Sequence, residues 1–122
     1  MLPLAGKHRL RLVPVNRRGY ASSSPLTDED LANLTSPDDD TRARYFQTCA
    51  LEFGEFMAWF VQKEKIPKFT VAEDGKPRGG IVLLGWSLAP AWLLGLLAYP
   101  DLVPSHTREV LEPYFRAFCI YG

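Results

Sequence analysis

The uncharged stretch over 79–100 reads GGIVLLGWSLAPAWLLGLLAYP and constrains the fold more than any other part of the chain. Such a segment is a membrane-spanning helix, a single buried core element, or a strand followed at once by a helix. Its first half combines glycines with an Ile-Val pair, whereas its second half is rich in leucine and alanine. This change of composition around Ser87 predicts a buried strand over 80–86 and a helix over 88–99.

A membrane span over 79–100 is the alternative interpretation. The stretch is long enough to cross a bilayer, and the basic residues before it suit a cytoplasmic N-terminus. However, its first half is crowded with residues that make a poor isolated helix, namely Gly79, Gly80, Gly85, Ser87 and Pro90. The first residues, MLPLAGKHRLRLV, do not resemble a signal peptide, because basic residues interrupt their apolar run. We therefore expect a cytoplasmic protein without a membrane span.

Composition narrows the class of protein further. The chain has 122 residues, of which 47% are hydrophobic and 23% charged, which predicts one small globular domain over 1–122. Lys plus Arg and Asp plus Glu both number 14, so no net charge favours binding to nucleic acid. Cys49 and Cys119 lack the spacing of a metal site and lie in apolar sequence, which predicts two reduced, buried thiols. We expect no metal and no cofactor.

Strand-like and helix-like segments alternate along the rest of the chain. The sequence HRLRLVPV alternates basic and apolar residues and predicts a strand over 8–15, although Pro14 cannot donate to a sheet. Apolar residues on one helical face predict a long helix over 37–65. A second buried strand is predicted over 115–121. This order favours an α/β fold with a small parallel sheet and flanking helices.

Three polar residues are candidate helix caps. Thr27 precedes a short helical pattern, and Ser36 precedes a proline and three aspartates at the start of the long helix. Ser105 precedes the helical pattern HTREVLEPYF. Each side-chain oxygen could accept a hydrogen bond from a free N–H in the first turn of its helix.

The segment GWSLA, residues 85–89, has the features of a sharp strand–turn–helix joint. Such a joint lifts the side chain at its tip above the sheet edge and needs small neighbours two residues away on each side. Gly85 and Ala89 satisfy that requirement around Ser87. The N–H of Leu88, at the start of the helix, could then stabilise an oxyanion. The alternative is a turn serine that only caps the following helix.

The sequence IVLLGWSLA followed by an apolar helix resembles the nucleophile elbow of the α/β-hydrolase superfamily. Upstream, Asn16 to Ser23, NRRGYASS, resembles the D-x-R-G-[FY]-G-x-S loop of these enzymes. The pair of motifs is most similar to fungal-type α/β hydrolases carrying NRRGY and LLGWSLG. The resemblance implies a partial α/β-hydrolase domain that hydrolyses an ester-like, small-molecule acyl substrate. It implies Ser87 as nucleophile, Leu88 as oxyanion donor and Trp86 as a substrate-binding residue.

This sequence departs from the family in the rest of the triad. The family supplies an acid and then a histidine after the nucleophile, and its first oxyanion donor comes from a loop that follows an earlier strand. We expect neither His106 nor His8 to serve as base, and neither Asp74 nor Asp101 as orienting acid. The expectation is a truncated hydrolase chain with little or no turnover.

Two further functions stay open at this point. One is a non-catalytic α/β remnant that binds a partner or associates with itself through exposed sheet edges. The other is a small single-pass membrane protein with its span near 79–100. Labelling of Ser87 would favour the hydrolase over both.

Overall fold

The computed structural model describes residues 2–86, 89–98, 101 and 103–121. The chain divides into two compact units, Met1–Thr35 and Ser36–Gly122. The described elements make a mixed α/β protein with five helices and two two-stranded sheets. In chain order they are α1 (Leu2–Lys7), α2 (Asp28–Leu34), α3 (Asp39–Lys63), β1 (Thr70–Val71), β2 (Pro77–Arg78), β3 (Ile81–Trp86), α4 (Ala89–Ala98), α5 (Ser105–Leu111) and β4 (Phe115–Tyr121).

The first unit holds α1, α2 and the segment between them. The strand predicted over 8–15 is wrong, because this segment is irregular and mostly exposed. It leaves α1 through Arg9 in the left-handed region, and the N–H of Leu10 donates to the carbonyl of Ala5 at 2.8 Å. A strand needs a neighbour to pair its backbone, and none of the described residues of this unit forms one. Alternating apolar residues were therefore not sufficient for a strand here.

Two of the three cap predictions fail by a few residues. Thr27 does cap α2: its hydroxyl accepts from the Asp30 N–H, and the Thr27 N–H donates to the Asp30 carboxylate, which completes a capping box. At α3 the cap is Asp38, whose carboxylate accepts from the Thr41 N–H at 2.9 Å, while Ser36 accepts from the Asp38 N–H. At α5 the cap position is Pro104, and Ser105 is the first helical residue. Aspartate displaces serine at α3 because its charge also favours the positive end of the helix.

The second unit is built on the parallel pairing of β3 with β4. Helices α4 and α5 and a 3-10 turn over Glu112–Tyr114 connect the two strands, so the unit contains the expected parallel β-α-β arrangement. Ile81 pairs with Phe115 and Val82 with Ala117, so Arg116 is an extra residue that the register skips.

The skipped residue determines which side chains share a face of the sheet. Phe115 and Phe118 are three positions apart, yet they lie beside Ile81 and Leu83 with ring centroids 5.5 Å apart. This face packs on a core formed by α3 and α5, with Met57, Ala58, Val61 and Leu111 at its centre. The other face of the pair is exposed.

Helix α4 crosses α3 at small residues. A Cβ atom on Gly54 would lie 3.2 Å from the Leu96 side chain, and one on Gly95 would lie 3.1 Å from the Ala50 Cβ. Glycine at these two positions lets the helix backbones approach closely. Helix α4 is therefore held against α3 by contacts that leave no room for larger side chains.

A hairpin of β1 and β2 lies between α3 and β3, in the segment expected to be polar and turn-rich. The chain leaves this hairpin through Gly79 and Gly80, both with positive φ. The Gly80 N–H donates to the Pro67 carbonyl at 2.8 Å, and the Phe69 N–H donates to the Pro113 carbonyl at 2.9 Å. These bonds anchor the hairpin beside the amino end of the parallel pair.

Candidate functional site

The candidate site is the carboxyl end of β3. This strand ends at Trp86 and α4 begins at Ala89, so residues 87 and 88 alone separate the two elements. The predicted strand over 80–86 and helix over 88–99 are confirmed as Ile81–Trp86 and Ala89–Ala98. Ser87 and Leu88, the predicted nucleophile and oxyanion donor, lie outside the described residues. Their flanking elements locate the joint between them.

Small residues flank this joint as an elbow requires. Gly85 is buried in β3, where it pairs with Ile120 of β4, and Ala89 is half-buried at the start of α4. A helix placed directly after a strand must approach the sheet closely, and bulky side chains at these two positions would obstruct it. The contacts of α4 with α3 then fix the direction in which α4 leaves the joint.

The beginning of α4 supplies the electrostatic part of the site. A helix carries a partial positive charge at its N-terminus, where the first N–H groups have no partner within the helix. The described residues of α4 contain no acidic side chain to neutralise that end. An anion that developed at the joint would therefore meet an unneutralised helix N-terminus.

Trp86 lies on the exposed face of the sheet. It is 67% exposed and is the register partner of Tyr121, which is 42% exposed. Carboxyl ends of parallel strands meet at one edge of a sheet, so the two aromatic residues form the border of that edge. The sequence singled out Trp86, but it gave no signal for Tyr121, because only the register of β4 brings the tyrosine there.

His106 is held in a second polar cluster, on α5. Its Nε2 atom lies 3.1 Å from the Thr107 hydroxyl and 3.5 Å from a carboxylate oxygen of Glu55 on α3. The Thr107 hydroxyl also hydrogen-bonds to Glu55. Thr107 is only 1% exposed, so its hydroxyl is inaccessible to a substrate and serves to join α5 to α3. Sequence reasoning missed Glu55, which lies 52 positions before Thr107.

Asp74, Asp101 and His8, which the sequence did not favour as triad members, lie apart from any carboxylate–imidazole pair. Asp74 accepts the Lys76 N–H at 3.1 Å and lies 3.4 Å from the Arg78 guanidinium, within the hairpin turn. Asp101 is exposed, and His8 belongs to the irregular segment that follows α1. None of these contacts is the carboxylate–imidazole pairing that a triad needs.

The NRRGYASS loop closes on itself in the first unit. The Asn16 amide donates to the Ala21 carbonyl at 3.0 Å, and the Arg17 guanidinium lies 4.5 Å from the centre of the Tyr20 ring. Arg18 pairs with Asp30 at 3.4 Å.

Gly19 of this loop has a φ of 81°, and a Cβ atom there would lie 3.1 Å from the Leu26 side chain. Internal bonding and a glycine-dependent turn account for the residue pattern of this loop without a ligand.

Two carboxylates at the starts of helices have lowered pKa values. Hydrogen bonds from the backbone and hydroxyl of Thr27, followed by the charge of Arg18, lower the pKa of Asp30. Bonds from the hydroxyl and backbone N–H of Thr41 lower the pKa of Asp38. Both shifts report capping of α2 and α3, and they carry no catalytic meaning.

The structure corrects the predicted burial of one of the two cysteines. Cys49 is half-buried on α3, but Cys119 is exposed, so the expectation of two buried thiols is wrong for Cys119. Its side chain points to the face of β4 that no described helix covers, a property the apolar sequence did not reveal. Among the described residues, no group of three or more His, Cys, Asp and Glu side chains could hold a metal ion.

The described helices also bear on the membrane alternative. The segment predicted as a possible span over 79–100 is divided between a six-residue strand and a ten-residue helix. No helix in the described part of the chain has both the length and the apolar character needed to cross a bilayer.

Comparison with known proteins identified no relative of this chain. No family model matches the chain, and it matches neither a curated protein nor a solved structure. The resemblance of the two sequence motifs to those of α/β hydrolases stays an expectation from the sequence.

Proposed function

We propose that the carboxyl end of β3 is the nucleophile elbow of a serine acyl hydrolase of the α/β-hydrolase type. The observation that supports this most is the direct succession of a parallel strand, two residues and a helix at GWSLA. Ser87 is the nucleophile, and the Leu88 N–H contributes to the oxyanion hole. The substrate is a small ester-like acyl compound, and Trp86 lines its approach.

The chemistry assigned to Ser87 is attack on an acyl carbon. The hydroxyl oxygen forms a bond to the carbonyl carbon, and the hydroxyl proton passes to a base. The base returns this proton to the ester oxygen as its bond to the acyl carbon breaks, so that the alcohol leaves. The helix N-terminus stabilises the oxyanion formed during this step. Water then hydrolyses the acyl-serine and restores the hydroxyl.

The proposal assigns no base from the described residues. His106 is engaged with Glu55 and Thr107, and the resemblance assigns no catalytic role to His8, which follows α1. A serine hydroxyl without a base is a weak nucleophile at neutral pH. We therefore expect the chain alone to show little turnover, while Ser87 becomes reactive when a base is added in solution.

Fluorophosphonate labelling in the presence of imidazole tests the proposal. Ser87 displaces fluoride from phosphorus, and imidazole accepts the hydroxyl proton and stays in solution as imidazolium. We expect Ser87, mapped by peptide mass spectrometry, to be labelled at least about tenfold faster than other serines, since one oxyanion donor contributes a factor of about 10²–10³.

Two serines of the same chain provide internal controls. Ser105 is exposed at the first position of α5 and tests whether any helix start confers reactivity, and Ser36 tests an ordinary turn serine. Ser87→Ala should abolish the fast label without affecting the slow labels. Equal labelling of Ser87, Ser105 and Ser36 would overturn the proposal.

A non-catalytic interaction protein is the second candidate. The observation in its favour is the exposed apolar face of the β3–β4 pair, which an isolated domain does not normally leave uncovered. In that case Ser87 would label no faster than Ser105, but the exposed face would still bind a partner.

A further inference from the structure

The first unit carries a segment in which basic and apolar side chains are interleaved and exposed. We call residues 7–15, with the sequence KHRLRLVPV, the basic–apolar segment. It begins at the last residue of α1 and continues outside any helix or strand, and all of its residues are exposed. Its leucine and valine residues are 39–60% exposed, and they are Leu10, Leu12, Val13 and Val15. The segment therefore offers apolar surface and positive charge to solvent together.

The positive charge of the segment has no acidic neighbour in the sequence. Lys7, Arg9 and Arg11 lie within the segment, and the first acidic residue of the chain is Asp28. The unit Met1–Thr35 contains five basic and three acidic residues, and all three acids belong to the first turn of α2. The chain is neutral as a whole, but this unit is positive. Such a local excess attracts an anionic partner.

We infer that the basic–apolar segment binds the surface of a membrane that contains anionic lipids. The lipid headgroups attract Lys7, Arg9 and Arg11. The four leucine and valine side chains enter the boundary between the headgroups and the acyl chains. Both contributions reach the same surface because basic and apolar residues alternate over a few positions of the chain.

The apolar side chains of the segment distinguish a membrane from a nucleic acid. Proteins that bind single-stranded nucleic acid combine basic residues with aromatic rings, on which the bases stack. The basic–apolar segment contains no aromatic residue, and its apolar residues are aliphatic. Aliphatic side chains gain from leaving water for lipid but provide no stacking surface. The composition of the segment therefore favours a lipid surface.

The irregular backbone determines how deeply the segment enters the membrane. Residues 10–15 belong to neither a helix nor a strand, and Pro14 has no N–H to donate. Irregular backbone must keep its hydrogen bonds to water, so it can lie among the headgroups but cannot enter the hydrocarbon. The binding is therefore peripheral and reversible, and salt should weaken it.

Flotation of the full chain with lipid vesicles is the first test. Phosphatidylcholine vesicles with about 30% phosphatidylserine should bind the chain at least about tenfold better than vesicles of phosphatidylcholine alone. Raising the NaCl concentration from about 0.1 to about 0.5 M should weaken this binding at least about fivefold, because salt screens the attraction. Both comparisons use the native chain and do not depend on the folding of a variant.

Replacement of two basic residues tests the contribution of charge. Lys7→Gln combined with Arg9→Gln should weaken binding to the anionic vesicles at least about tenfold, since each basic residue near such a surface contributes a factor of about five. Lys63→Gln combined with Lys68→Gln is the matched control, because both lysines are exposed and lie outside the segment. The control should leave binding unchanged.

Replacement of one leucine tests the apolar contribution. Leu10 is 60% exposed, and Leu10→Ser should weaken binding at least about threefold by removing apolar surface. Val71→Ser is the matched control, because Val71 of β1 is 63% exposed and lies outside the segment. It should leave binding unchanged.

Three outcomes would overturn the inference. They are equal binding to neutral and anionic vesicles, equal losses in a variant and its matched control, and no binding to anionic vesicles at low salt. If the chain left the vesicles unbound but retained a single-stranded RNA through Lys7 and Arg9, the partner would be a nucleic acid instead.

Discussion

The hydroxyl of Thr107, buried on α5, hydrogen-bonds to the carboxylate of Glu55 on α3. Thr107→Val removes this bond without changing the volume of the side chain. We expect a loss of about 1–2 kcal/mol in the free energy of unfolding, because the bond from the buried Thr107 hydroxyl to a carboxylate is lost. Urea denaturation of both proteins measures the difference.

Thr48→Val is the control for that substitution. The Thr48 hydroxyl bonds to the Arg44 carbonyl within α3 and is exposed, so its removal should change stability by no more than about 0.5 kcal/mol. Equal effects at positions 107 and 48 would mean that the Thr107–Glu55 bond contributes nothing particular to the contact between α5 and α3.

Gly80 is expected to tolerate no side chain. Its φ is 74°, and a Cβ atom would lie 2.8 Å from the Tyr114 carbonyl oxygen and 2.9 Å from the Phe69 Cβ. Gly80→Ala should cost about 2–4 kcal/mol through backbone strain and collision. Gly75 has a φ of 71°, and a Cβ atom there would meet no other atom within 4 Å, so Gly75→Ala isolates the strain, about 1 kcal/mol. Thermal unfolding compares the two, and similar losses would argue against the close approach at Gly80.

Lys65 occupies a position that favours glycine. It follows the end of α3 with a φ of 50°, and the Ile66 N–H donates to the Val61 carbonyl at 3.0 Å, as in a glycine-terminated helix. Lys65→Gly should raise the free energy of unfolding by about 0.5–1 kcal/mol. Lys63→Gly, inside the same helix, should instead lower it by about 1 kcal/mol. A destabilised Lys65→Gly protein would contradict the assignment of this helix end.

Acid should weaken the start of α3. The folded pKa of Asp38 lies below its ordinary value of 3.8, so the unfolded chain binds a proton more readily than the folded chain. Its contribution is therefore complete above about pH 4 and is lost as the pH falls through the lowered folded pKa. Asp38→Ser keeps a capping oxygen but cannot titrate, so it should lose less stability between neutral pH and pH 3. A parallel pH dependence in both proteins, followed by circular dichroism, would show that Asp38 does not contribute.

Several elements were predictable because their patterns are local. The long helix predicted over 37–65 is Asp39–Lys63, and the strand predicted over 115–121 is Phe115–Tyr121. Apolar periodicity over 25 residues identifies a helix reliably, and a short apolar run between polar segments favours a strand.

The predictions that failed depend on contacts between residues that are far apart in the sequence. Residues 8–15 carry a strand pattern, but a strand forms only where another chain segment pairs with it. The exposure of Cys119 depends on the register skip at Arg116, which assigns each residue of β4 to one face. The contacts of His106 and Thr107 with Glu55 join residues far apart in sequence, so no local pattern could indicate them.

A crystal structure of the chain treated with fluorophosphonate and imidazole would show whether Ser87 is the nucleophile. We expect phosphorus bonded to the Ser87 oxygen, with the phosphonyl oxygen accepting a hydrogen bond from the Leu88 N–H at about 2.7–3.1 Å. An unmodified Ser87 whose hydroxyl instead accepts a hydrogen bond from the first turn of α4 would contradict it and identify the residue as a helix cap.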